Sequence, residues 1–255
     1  VHIESVGAGP DLVLIHGWAM HGGIFARLTP LLAARFRVHV VDLPGHGRSS
    51  ASGEPIDPAN CAALIARHLP SAVWVGWSFG GLVSLQAACA LAGQVRGIVE
   101  IAASPCFVAK AEWPHGVAAD VFVQFGTGLV DDYRATIERF LALETLGSAQ
   151  AQEELRELKA HVFERGDPSL PVLEQGLEVL QASDLRGNLA RLTVPNLWIA
   201  GRRDRLVPAA AMRWAARHSP RGEFIEIASG HAPFLSHAAE VAAAIIGFAD
   251  RTASA

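Results

Sequence analysis

Residues 72–83 read Ala72-Val73-Trp74-Val75-Gly76-Trp77-Ser78-Phe79-Gly80-Gly81-Leu82-Val83. The first four are a short apolar run with the character of a buried strand. Gly76 to Gly80 has the form G-x-S-x-G, and Gly81 to Ala88 has the character of a helix. Strand, sharp turn and helix is the setting that turns a serine into a nucleophile. So tight a turn strains the serine backbone, and flanking side chains would collide; glycine at 76 and 80 removes them. The turn predicts that Ser78 stands above a sheet, at the N-terminus of a helix whose open amides favour negative charge.

On either side of this stretch the chain alternates. Asp11–Ile15 is β-rich and ends at His16-Gly17-Trp18. Residues 24–34 carry apolar positions at helical spacing. Phe36–Val41 reads as a strand closed by Asp42-Leu43-Pro44-Gly45-His46-Gly47-Arg48-Ser49, and residues 58–68 read as a helix opening at Pro58. Val95–Ala102 is the next strand. After Phe107 the alternation stops, and residues 108–184 show helical periodicity. Val130, Tyr133, Ile137, Phe140 and Leu141 mark one apolar face there, and Leu155, Leu158 and Val162 another. Strands resume at Val194–Ala200, leading to Asp204, and at Glu223–Ile227, leading to Gly230-His231. A helix over 238–249 closes the chain. This pattern predicts an α/β protein: a mostly parallel, twisted sheet with helices on both faces. Residues 1–107 and 185–255 form its core, and 108–184 a helical cap.

Composition narrows the function. A chain of 255 residues, 51% hydrophobic, suits one α/β domain with an insertion. A net charge of −4 argues against nucleic acid or an acidic membrane surface as partner. The three cysteines, Cys61, Cys89 and Cys106, have no close pairing, which predicts reduced thiols and a cytoplasmic protein. No uncharged apolar run is long enough to cross a bilayer. Val1-His2-Ile3-Glu4 lacks the basic-then-apolar pattern of a leader. No His/Cys cluster has metal-ligand spacing, and no G-x-G-x-x-G follows a strand, so no cofactor is expected.

Three polar residues fall at strand ends: Ser78, Asp204 and His231, in that chain order. Ser78 is expected to attack a carbonyl carbon. His231 would take the serine proton and pass it to the leaving group, while Asp204 holds the imidazole. The rival position for the acid, after the strand at 95–102, holds Ser104. Oxyanion donors are expected in the backbone N–H groups of Phe79 and Trp18. His16 reads as a structural histidine bonding its own loop, and Asp42 and Arg48 as residues that fix a turn.

Through His16-Gly17, Asp42-x-Pro44-Gly45-x-Gly47-x-Ser49, the G-x-S-x-G turn, Asp204 and His231, the whole chain resembles the α/β-hydrolase superfamily. More narrowly it resembles the methyl ester esterases of biotin synthesis that act on a pimeloyl chain on acyl-carrier protein. His16-Gly17-Trp18, Gly76 to Gly81, Ala103-Ser104-Pro105-Cys106-Phe107, Glu138 to Leu143 and Gly230 to His237 carry that likeness. The resemblance implies hydrolysis of the methyl ester with release of methanol and an acidic carrier protein as partner; a monomer is expected. It implies substrate contacts at Trp18, Ser78, Phe79, Phe140, Leu141, Ala142, Leu143, Glu144 and His231; Glu144 stands where glutamine is expected. It also implies that cap cations grip the carrier. Arg139 and Arg156 match two such positions; Ala135 and Gln152 hold the other two, with Arg134 and Lys159 close by. The fold alone equally accommodates a broad short-chain esterase, a lactonase, a perhydrolase, a carbon–carbon bond hydrolase or a non-catalytic sensor.

Overall fold

The computed structural model describes residues 1–91 and 93–253. Seven strands form one sheet in the order β1-β3-β2-β4-β5-β6-β7. They are β1 His2–Val6, β2 Asp11–Ile15, β3 Arg37–Asp42, β4 Ala72–Trp77, β5 Val95–Ile101, β6 Asn196–Gly201 and β7 Gly222–Ile227. Only β1 runs antiparallel, beside β3; every other pairing is parallel. The central strands read as continuous apolar runs because helices cover both faces: all six residues of β4 are buried.

Helices α1 Thr29–Ala33, α2 Pro58–Ala66 and α3 Phe79–Ala90 precede residue 108, and α8 Ala209–His218, α9 Pro233–Ser236 and α10 Ala238–Ala253 follow residue 184. Asp57 caps α2, accepting from the N–H groups of Ala59 and Asn60, and Pro58 occupies its first turn. The helix expected over 24–34 is instead a 3₁₀ turn, Gly22–Phe25, followed by the short α1. Pro30 explains the break: without an N–H it can only sit in a first turn. The sequence reading did not include β1 or α8, although α8 buries Ala211, Met212, Ala215 and Ala216 on one helical face.

Between β5 and β6 the chain leaves the sheet for α4 Ala119–Asp131, α5 Tyr133–Thr145, α6 Ala151–Val162 and α7 Leu170–Ala182. Residues 108–117, expected to be helical, form a loop closed by the bridges Val108↔Val117 and Lys110↔Trp113. Val130, expected on an apolar face, is 66% exposed on α4, whereas Ile137, Leu141, Leu158 and Val162 are buried as expected. The segment is tied at its root. The Leu185 N–H donates to the Pro105 carbonyl at 2.7 Å, and Lys110 pairs with Asp184 at 2.7 Å. Among the described residues no helix is long and apolar enough to cross a membrane. All three cysteines are free thiols.

Candidate active site

Ser78 follows β4 and opens α3 with φ 53° and ψ −115°, a conformation L-residues rarely adopt. Its surroundings hold it there. The Ser78 N–H donates to the Ile101 carbonyl at 3.0 Å, and the Gly81 N–H donates to the Ser78 carbonyl at 2.9 Å. A Cβ on Gly76 would lie 2.4 Å from the Gly80 carbonyl oxygen, and one on Gly80 would lie 2.3 Å from that of Ile15. Neither position admits a side chain, which is why glycine flanks the serine.

Parallel strands end on one edge, so the turns after β4, β6 and β7 meet. Ser78 Oγ lies 3.0 Å from His231 Nε2, and His231 Nδ1 lies 2.8 Å from Asp204 Oδ2. The other Asp204 oxygen accepts from the N–H groups of Leu206 and Val207, at 2.8 and 2.9 Å. Asp204 therefore holds the imidazole with hydrogen on Nδ1, leaving Nε2 to accept from serine. Burial pulls the His231 pKa down, but the charge of Asp204 and its hydrogen bond outweigh burial and leave it raised. Ser104, at the rival acid position, turns inward to bond the backbone of Cys106.

Two contacts on His231 could not be read from local sequence. Its N–H donates to the Glu144 carbonyl at 3.1 Å, and its own carbonyl accepts from Trp77 Nε1 at 2.9 Å. The histidine loop is thus held from above by α5 and from below by β4. Trp77 is apolar-run material by pattern, and nothing in its spacing marks the indole as a donor to residue 231.

The oxyanion candidates lie beside the serine. Phe79 is the first residue of α3 and has no intrahelical acceptor for its N–H. Among the described residues no backbone acceptor takes the Trp18 N–H. The Trp18 side chain is buried beneath the inserted helices: Nε1 donates to the Leu173 carbonyl at 2.9 Å, and the Phe140 ring meets it edge-on at 4.7 Å. Of the α5 stretch expected to touch substrate, Phe140, Leu141 and Glu144 are buried and Leu143 is half-buried. Ala142 is exposed on the outer side of the helix, because a helix turns neighbouring residues about 100° apart. Glu144 is 2% exposed, with Oε2 buried and unpartnered; burial pushes its pKa up to about 8. It is neutral below that pH, so its charge acts on His231 only in alkaline solution.

His16 is fully buried. Its Nε2 accepts from the Leu43 N–H at 2.9 Å and its Nδ1 lies 2.8 Å from the Gly17 carbonyl, so it shapes the loop that carries Trp18. Asp42 fixes its turn by accepting from the Gly22 N–H at 2.7 Å and the Arg48 N–H at 2.8 Å. The four cations expected to grip a carrier divide. Arg134 pairs with Asp167 at 3.0 Å and Lys159 with Glu138 at 2.5 Å. Arg139, which donates to Thr136 Oγ1, and Arg156 are exposed and form no ion pair among the described residues. No group of His, Cys, Asp and Glu among the described residues could hold a metal ion.

The sequence profile of the alpha/beta hydrolase family matches residues 12–244. The chain is 53% identical over 249 residues to the pimeloyl-[acyl-carrier protein] methyl ester esterases of Xanthomonas oryzae pv. oryzae (strain MAFF 311018) and Stenotrophomonas maltophilia (strain R551-3). These alignments cover 97% of this chain and 98% and 96% of theirs. Among solved structures, an esterase from Exiguobacterium antarcticum aligns with a TM-score of 0.85 at 21% identity, over 98% of this chain and 95% of its own. A bromoperoxidase from Bacillus anthracis aligns with a TM-score of 0.86 at 22% identity, over 96% and 94%. Likenesses at that identity speak to the fold alone. The chain belongs to the alpha/beta hydrolase family.

Proposed function

We propose that the chain is a serine carboxylesterase of biotin synthesis. Its reaction is hydrolysis of pimeloyl-[acyl-carrier protein] methyl ester to pimeloyl-[acyl-carrier protein] and methanol. The observation that carries this reading is the buried hydrogen-bonded relay Ser78–His231–Asp204, in a chain whose full-length curated relatives bear that activity in their names.

Ser78 Oγ attacks the ester carbonyl carbon as its proton passes to His231 Nε2. The carbonyl electrons move onto oxygen, where the N–H groups of Phe79 and Trp18 receive the negative charge. The intermediate collapses with loss of methanol, whose oxygen takes the proton from His231. Water then attacks the acyl-enzyme by the same route in reverse order, giving the free carboxylate and restoring Ser78. No cofactor enters the reaction.

Residues 108–184 serve as a cap over this chemistry. Trp18, Phe140, Leu141 and Leu143 offer apolar surface for the acyl chain. Glu144, protonated below about pH 8, stands in for the amide of a glutamine as hydrogen-bond donor. Arg139 and Arg156, carrying no ion pair, are the cations available to an acidic carrier; Arg134 and Lys159 are already neutralised by partners. The enzyme works in the cytoplasm with its thiols reduced.

The test measures methanol release from the carrier-linked methyl ester beside hydrolysis of a short free ester. Cleavage of both, with the higher kcat/KM on the carrier-linked substrate, is expected. Cleavage of the free ester alone would make the chain a different esterase on this fold. Cleavage of neither would remove the catalytic reading.

A further inference from the structure

Beneath the serine lies a second acidic group that the relay does not use. Glu100 sits on β5, in register with Gly76 of β4, and its side chain is fully buried. Alternation along the strand sends Gly97 against Phe248 of α10, and therefore Glu100 to the opposite face, under α3. There Oε1 lies 2.6 Å from Ser84 Oγ. The same hydroxyl lies 3.1 Å from the Gly81 carbonyl and 3.3 Å from that of Gly80. Oε2 is buried without a partner, pressed so closely on Gly81 that a Cβ there would stand 2.4 Å from it.

We propose that Glu100, acting through Ser84, is a positioning residue for the nucleophile turn: it fixes the first turn of α3, and with it the Phe79 N–H that faces the oxyanion. The reading rests on Ser78 being the nucleophile.

Proton placement follows from the contacts. A neutral carboxyl donates from Oε1 to Ser84 Oγ, and the serine hydrogen goes on to the Gly81 carbonyl. Oε2 is then a carbonyl oxygen, the kind of buried group that most tolerates lacking a partner. An ionised carboxyl would leave a charged oxygen bare in the apolar interior. Among the described residues of the strands and helices packed on it, no cation faces it. β4 and β6 carry no titratable side chain, α3 offers only Cys89, and α10 keeps Glu240, Asp250 and Arg251 exposed on the other side of the sheet. Burial accordingly pushes the carboxyl pKa well above the usual range, although an ionised carboxylate would gain Ser84 as a donor. A neutral strut also leaves the positive end of α3 to the oxyanion; a fixed negative charge one turn away would oppose it.

The experiment compares wild type with Glu100→Gln, Glu100→Leu and Ser84→Ala on a p-nitrophenyl ester, with serine-directed phosphonate labelling as a control. Gln keeps a donor of the same shape and should hold kcat within about twofold. Leu fills the space without a donor and should lower kcat about tenfold, short of the hundredfold or more for losing an oxyanion donor outright. Ser84→Ala should behave like Leu, with KM unchanged in both and phosphonate inactivation slowed in step. Infrared spectra should retain a protonated-carboxyl band well above pH 8, where Glu144 has ionised, and Glu100→Gln should remove it. Full activity in Glu100→Leu overturns the proposal, as does absence of the band, which is read in the wild type even if Glu100→Leu fails to fold. Absence of phosphonate label in the wild type overturns instead the assignment of Ser78.

Discussion

The turn after β4 and the outer face of α5 and α6 are built on opposite terms. Around Ser78 almost every atom is buried and packed against backbone: Gly76 on Gly80, Gly80 on Ile15, Trp77 on the His231 loop. On α5 and α6 the contacts are between exposed side chains, Lys159 with Glu138 and Arg134 with Asp167, and Arg139 and Arg156 stand open. Dense burial makes geometry rigid and substitution costly, whereas exposed charge pairs contribute only about 0–1 kcal/mol each. The first region is suited to chemistry and the second to choosing what reaches it. Changes near the serine should therefore alter kcat, and changes on the cap should alter kcat/KM for one class of substrate.

The largest effect should come from Ser78→Ala. Loss of the nucleophile is expected to lower kcat by roughly four orders of magnitude or more while the melting temperature barely moves. Steady-state esterase assays and a thermal scan check this together. A variant that keeps substantial activity, or still reacts with phosphonate, would move the chemistry away from the turn.

Glu144 tests whether a residue of the inserted helix α5 can belong to the buried region. Folding raises its pKa to about 8 from an ordinary 4.5. Between those values the folded chain holds a proton that the unfolded chain has released. Stability therefore falls as pH rises through that window and levels off above it. Glu144→Gln abolishes the dependence. The variant should exceed wild type by on the order of a few kcal/mol at pH 8 and match it near pH 4.5. Urea unfolding at both ends of the window measures the difference, and parallel pH curves for the two proteins would refute it. The same ionisation places a negative charge beside His231 and Asp204, so wild-type KM should rise above pH 8 while that of the variant stays flat.

Trp77→Phe sharpens the comparison from the core side. It keeps an aromatic ring but removes the Nε1 donor from the His231 carbonyl, leaving that oxygen buried and unpaired. We expect kcat to fall about tenfold with KM little changed, because a small tilt of the imidazole spoils its reach to Ser78. An unchanged kcat would mean that Asp204 and Glu144 hold the ring without help.

The smallest effect concerns the open arginines. Arg139→Glu with Arg156→Glu should lower kcat/KM a few-fold on carrier-linked substrate, less at high salt, and leave a free ester unaffected. Arg134→Glu with Lys159→Glu should do less, since those cations are already paired. Equal losses from both double variants would mean that net charge, and not particular arginines, attracts the carrier.

The turn at Ser78 was legible because its constraints are local: a strained serine demands glycine on both sides within five residues, and strand and helix periods frame it. Asp204 and His231 were legible for a related reason, since each follows a strand directly and parallel strands deliver their ends to one edge. The helix expected over 24–34 failed on a local rule that periodicity ignores, the missing N–H of Pro30. Residues 108–117 failed on the same kind of local rule, since Pro114 and Gly116 interrupt a helix there.

Sequence by itself thus placed Ser78, Asp204 and His231 just after strands, in that chain order, and set the glycine frame. Only the tertiary structure decided which charges are spent and which are open. It also decided that Trp77 and Glu144 hold His231 from two sides, that Ala142 faces away, and that Glu100 lies under the turn against Ser84. The physical reason is range. Strain, capping and periodicity act over a few residues and are written in order along the chain. Burial and pairing depend on partners far apart in sequence, Trp77 with His231 or Lys110 with Asp184, which meet only once the sheet has closed and the inserted helices have settled on it.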